Sequence, residues 1–198
     1  MKKAFFVAVV FLFTACNEIG SGKTYPILGV SLGDLQETVL QKRGVPEAKN
    51  SSADHLFEAW NYSKKFTEFE DITLQYKIIF NLKNDKFLVT DFFCGIENYE
   101  SGKDLGRQSS LNKIYNDENI CALNGVKLFS SSDALIKKFG EPSAQLSVNN
   151  ARGDVSAVAF VYENFIFHVF HGRVVEIYYG EHCVSAATST HVYPPYWY

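Results

Sequence analysis

Three of the four histidines in the last third of the chain stand close to a cysteine in sequence: His168, His171, His182 and Cys183 are residue types that ligate metals or act as bases and nucleophiles. Their spacing argues against a metal centre. His168 and His171 stand three apart across a strand end, which turns them to opposite sides, and neither CxxC nor HExxH occurs. A His182/Cys183 nucleophile pair is weaker still, because adjacent residues on an extended chain diverge and no third group is evident to orient them. The sequence has no G-x-S-x-G elbow, phosphate loop or dinucleotide fingerprint. Arg152-Gly153-Asp154 spells the integrin-binding tripeptide, but a polar turn between elements accounts for it. No cofactor, no metal and no small-molecule substrate are therefore expected, and the chain reads as noncatalytic.

Cys16 carries a different chemistry. Lys2 and Lys3 precede ten unbroken apolar residues, 4–13, a run that fits an export signal and is too short to span a bilayer. The run ends Leu12-Phe13-Thr14-Ala15-Cys16, which resembles the lipobox of bacterial lipoproteins. That resemblance implies removal of residues 1–15 and diacylation of Cys16. In lipoproteins that the segment resembles, a residue such as Asn17 after the cysteine, in place of aspartate, implies sorting to the outer membrane, facing the periplasm. Residues 16–24, small and polar, have the composition of a flexible tether. Loss of Lys2 and Lys3 moves the formal charge from -3 to -5, and with no long Lys/Arg run a nucleic-acid partner is excluded.

Outside the cytoplasm Cys94, Cys121 and Cys183 can form one disulfide, by any of three pairings. The pairing of Cys94 with Cys121 is preferred because it closes a polar linker spanning 97–120. That linker separates two related segments. GVSLGDLQETVLQKRGVPEA, residues 29–48, aligns without a gap on GVKLFSSSDALIKKFGEPSA, residues 125–144, at a constant offset of 96 and with seven identities in twenty. Such self-similarity marks a repeat. Each copy reads as a short helix: Asp34 with Glu37, and Ser130 with Asp133, have capping-box spacing. Gly44 and Gly140, each followed two residues later by proline, stop the helix. Leu35, Val39 and Leu40 in one copy, and Leu135, Ile136 and Phe139 in the other, supply its buried stripe.

Strand patterns follow each helix, alternating in 72–82 and again in 155–179, with two-residue connections at Asn84-Asp85, Glu163-Asn164 and His171-Gly172. Aromatic content of 15% also favours sheet. The expected fold is α+β: two tandem repeats, each a short helix followed by a three-stranded antiparallel β-meander. Residues 25–96 form the first and 121–183 the second, with an aromatic tail over 184–198.

G-V-x-L before a helix, a helix ending G-x-P, and strands closing on aromatic-Gly make a pattern that resembles the superfamily of the BamE/SmpA outer-membrane lipoproteins and the tandem-repeat β-lactamase inhibitor protein. The resemblance implies a protein that docks to other proteins. A hairpin register with two-residue turns places Phe160, Tyr162, Phe165, Phe167 and Tyr178 on one face, opposite a face with Ala157, Ala159 and His168 where the alanines leave room for a helix. The five aromatics are the candidate partner-binding residues, unless the rest of the chain covers them. The leading expectation is a protein-binding envelope lipoprotein, held to the membrane by its N-terminal lipid and acting in outer-membrane assembly or maintenance. The alternatives are an inhibitor or immunity protein against a secreted enzyme, and a metal binder or enzyme using His168 and His182.

Overall fold

The structure, a computed structural model, describes residues 25–66, 69–97, 115–117, 120–149 and 155–182. The expected signal, Cys16 with its tether, most of the expected linker, the Arg152-Gly153-Asp154 tripeptide, Cys183 and the tail lie outside the described residues.

Helix α1 (Gln36–Arg43) leads into strands β1 (Ala48–Ser51), β2 (Phe57–Phe66), β3 (Phe69–Lys83) and β4 (Lys86–Glu97). A two-residue ribbon, β5 (Ala122–Leu123) and β6 (Val126–Lys127), precedes helix α2 (Ser132–Phe139) and strands β7 (Ala144–Asn149), β8 (Val155–Val161), β9 (Phe165–Phe170) and β10 (Arg173–Gly180). The turns do what their residues allow. Asn84-Asp85 and His171-Gly172 all take positive φ, the two-residue geometry whose twist suits antiparallel strands.

The expected fold class is not the one the chain adopts. Eight strands hydrogen-bond into one antiparallel sheet ordered β1-β2-β3-β4-β10-β9-β8-β7, and among the described residues α1 and α2 are short helices of eight residues each, so the protein is β-rich rather than a pair of helix-plus-meander modules. The physical reason is at the middle of the sheet. A meander of its own would leave β4 and β10 as long, apolar edges, and each instead satisfies its open backbone groups with the other, from Glu176 opposite Gly95 to Gly180 opposite Asp91. Each half also gains a strand, β1 or β7, directly after its helix.

The helices begin one residue later than their capping signals. Asp34 accepts from the Ser31 N–H at 2.9 Å and Ser130 from the Lys127 N–H at 2.9 Å, so both close the preceding turn. Ser131 caps α2 through Ala134 N–H, whereas Leu35, at the start of α1, has no side chain able to do so. Gly44 and Gly140 end the helices at φ 77° and 82°, as their position required. Val39 and Leu135 are buried, but Leu40 is 36% exposed and leaves the expected stripe.

Both helices lie on the same face, over a core of Trp60, Leu74, Phe80, Phe92, Phe167 and Tyr179. A smaller cluster of Phe93, Val148, Ala159, Ile166 and Tyr178 occupies the opposite face. Two bulges determine which side chain goes where. In β10 the pairing jumps from Val174 opposite Val169 to Glu176 opposite His168, leaving Val175 extra; in β4 it jumps over Thr90. Downstream of Val175 every side chain changes face, so Ile177 and Tyr179 enter the main core while Glu176 and Tyr178 turn to the other side.

Cys94 and Cys121 are joined, fully buried, tying β4 to the ribbon beneath the helices. With the two cysteines 27 positions apart in the chain, replacing both by serine is expected to cost about 3–4 kcal/mol through the freed unfolded chain. Denaturant unfolding of the double variant against the oxidised wild type measures it, and an unchanged midpoint would refute the disulfide's structural role.

Candidate functional site

The second face of the sheet gathers the most chemically capable group. Glu176 interrupts the apolar run of β10, and the bulge before it sets it opposite His168 on β9. The His168 Nδ1 lies 2.6 Å from the Glu176 carboxylate, and the Tyr178 hydroxyl donates to the same oxygen at 3.1 Å. The His168 and Tyr178 rings stand 5.1 Å apart. Gly95, facing Glu176 from β4, makes room for it: a Cβ there would come within 3.0 Å of the Glu176 side chain.

With a carboxylate at Nδ1, the hydrogen-bond pattern assigns the proton of a neutral ring to that nitrogen and the lone pair to Nε2. This is how active sites prepare a histidine to accept a proton or bind a metal. Here, however, Nε2 is buried and makes no hydrogen bond, and the residue is 1% exposed. A base needs a substrate proton within reach, and among the described residues the covering of His168 leaves its Nε2 shut off from solvent. The pair joins β9 to β10 across the bulge.

His182 belongs to a separate group at the end of β10, about 13 Å of strand from Glu176. The Asp91 carboxylate accepts from both its backbone N–H and Nδ1, each at 2.7 Å. Lys83 and Glu181 pair alongside at 2.6 Å. Gly180 runs so close to β4 that a Cβ would sit 2.3 Å from the Thr90 carbonyl oxygen. The Asp91 hydrogen bond is the main cause that lifts the His182 ring above its ordinary value, against the opposing effect of burial. His171 lies at the β9–β10 turn with its ring against Phe170. Among the described residues no three His, Cys, Asp or Glu side chains gather to hold a metal, and no helix is long and apolar enough to cross a membrane.

The five aromatics expected to meet a partner are spent inside the fold, with exposures from 0% for Phe167 to 9% for Tyr162. Phe160, Tyr162, Phe165 and Phe167 face the helices, where Phe139 packs against Tyr162, Phe165 and Phe167 at 4.7–5.7 Å between ring centroids. Tyr178 lies on the opposite face from them, because the Val175 bulge reverses the register that had grouped the five. The helix covers the aromatic face, not the alanine face. Glu176 and Asp91 are not among the residues that motif and spacing single out, although each is a charge set in an apolar strand run, a signal the sequence does carry.

No family model matches the chain, and no curated protein matches it in sequence. Among solved structures it is similar to a DUF4309-family protein, YjgB, from Bacillus subtilis subsp. subtilis strain 168, at 12% identity and a TM-score of 0.35, over 74% of this chain and 78% of that one. So slight a likeness carries no argument.

Replacing Glu176 by alanine leaves the His168 Nδ1–H and the Tyr178 hydroxyl without their acceptor, and is expected to cost about 2–3 kcal/mol in unfolding free energy. A cycle with His168→Leu should recover part of that loss; strict additivity would show that the two do not interact. For His182 the sign follows from its raised folded-state value. The charged Asp91–His182 pair contributes fully below pH 6.5 and is lost as pH rises through the raised value. Melting temperature should therefore fall more from pH 6 to pH 8 in the wild type than in Asp91→Asn, by the modest amount a half-exposed pair supplies.

Proposed function

We propose that the chain is a noncatalytic protein-binding module of the bacterial envelope, exported and anchored by a lipid on Cys16. One observation carries the binding reading: among the described residues, the two histidines best placed to do chemistry are tied into structure. His168 is consumed by Glu176 beneath an apolar cluster, and His182 holds the end of β10 to Asp91. What the fold offers outward, beside its sheet, is exposed apolar side chains on two connections: Val45, 84% exposed, between α1 and β1, and Leu56, just before β2. A buried disulfide between Cys94 and Cys121 suits the oxidising compartment that export would reach. The role we infer there is outer-membrane assembly or maintenance, on the strength of the G-V-x-L and G-x-P pattern.

Two measurements in the native host test this. Photocrosslinkers at Val45 and Leu56 should each be scanned for discrete adducts with envelope proteins, and Cys16→Ala should move the protein from the membrane to the soluble fraction. Absence of adducts from both positions would defeat the binding reading, and an unchanged membrane fraction would defeat the anchor.

A further inference from the structure

We infer that this protein self-associates through β7, the outer strand of its second half, pairing antiparallel with the β7 of a second copy about a twofold axis at Leu146. The argument starts from which backbone groups are spent. In an antiparallel strand the N–H and C=O of one residue point to the same neighbour, and successive residues alternate sides. Tyr162 N–H donates to the Phe165 carbonyl at 2.9 Å, so Tyr162, Phe160 and Val158 face β9. Val161, Ala159 and Ala157 therefore face β7, as the Val161 carbonyl shows by accepting from Ser143 N–H at 2.8 Å. Their partners Ala144, Leu146 and Val148 are thus consumed by β8, and the N–H and C=O of Gln145 and Ser147 point outward. Among the described residues nothing meets them, and Gln145, Leu146 and Ser147 are all exposed.

Most open sheets protect such an edge with charge, proline or brevity. The other edge, β1, does so: it has four residues and carries Lys49. β7 has six, Ala-Gln-Leu-Ser-Val-Asn, with neither charge nor proline, and Leu146 is 37% exposed. Its sequence also suits itself. An axis at Leu146 sets Gln145 against the partner's Ser147, so that the outward groups of both strands form the four missing hydrogen bonds. On the face of Ala159 and His168, the exposed Leu146 meets the partner's Leu146, beside the apolar cluster in which Val148 is already buried. No like charges oppose each other anywhere in that register. A foreign strand could meet the same backbone, but a second copy brings side chains that complement those of β7 position by position. The contact is one strand pair, in the transient size class below about 1,200 Å², so association depends on concentration.

Sedimentation equilibrium of the purified chain should show the average mass rising toward twofold with concentration. Ser147→Pro removes an outward N–H that β8 does not use, and Leu146→Lys sets two ammonium groups face to face; both should stay monomeric with wild-type melting. Amide exchange of wild-type Gln145 and Ser147 should slow as concentration rises, a readout independent of variant folding. A monomer at every concentration, a dimer unaffected by both variants, or equally fast exchange of those two amides at low and high concentration would each overturn the proposal. None of these outcomes bears on envelope crosslinking, so the binding module and the self-association stand or fall separately.

Discussion

The pairing of β4 with β10 is the constraint on which the rest of the structure depends. These are the last strands of the two halves, and five residue pairs from Glu176–Gly95 to Gly180–Asp91 join them. Both glycines in that ladder are required by space: a Cβ on Gly180 would collide with the β4 backbone, and one on Gly95 would meet the Phe93 ring and the Glu176 side chain. With the seam closed, α1 and α2 fall on the same face and share one core instead of two small ones. A single larger core is the cheaper solution for a chain of this size, since the buried share of surface grows with the size of the folded unit. The disulfide reinforces the same place, because Cys94 pairs with Ile177 across the seam while its sulfur holds Cys121 from below.

The bulges at Thr90 and Val175 follow from how each helix is entered. Just before them Val89 exchanges hydrogen bonds with Gly33 and Asp34, and Val174 with Phe129 and Ser130, so the same short bridge is made in both halves. The extra residue lets the strand bend away after making that bridge and resume the sheet with its faces exchanged. Without it Glu176 would point into the main core beneath the helices. With it the carboxylate reaches His168 and Tyr178, and the apolar Ile177 and Tyr179 fill the core.

Much of this was legible locally and little of it globally. The helix stops at Gly44 and Gly140, the turns at Asn84-Asp85 and His171-Gly172, and the alternation in β3 all rest on short-range chemistry, and the structure has them where the residues imply. The caps were displaced by one residue because a Ser or Asp oxygen can close the turn before a helix as readily as the helix itself. The join between β4 and β10 was not legible, since strand partners 80 or more residues apart leave no periodic trace. Nor was the bulge at Val175. One unpaired residue there was enough to scatter the five aromatics over two faces, so a face assignment made without it groups Tyr178 with residues it never meets.

The two halves also show how one backbone can be held by different interactions. In each, a tyrosine from the strand across the sheet closes the helix end: Tyr62 donates to the Gly44 carbonyl at 3.3 Å and Tyr162 to that of Gly140 at 3.1 Å. Burial pushes the Tyr62 hydroxyl up to about 12, so it remains a donor throughout the range in which the protein would be handled. The last helical residue beside it differs. Phe139 completes a stack of rings, whereas Arg43 lies over the Tyr76 ring at 5.2 Å and donates to its hydroxyl at 2.8 Å, leaving its own Nε buried without an acceptor. A cation at a helix C-terminus is favoured by the helix dipole, which offsets part of that cost. The first half therefore rests more on polar interactions at this point than the second, where Phe139 packs on an aromatic cluster. The same contrast continues to the sheet margins, where β1 carries a lysine and β7 carries no charge at all.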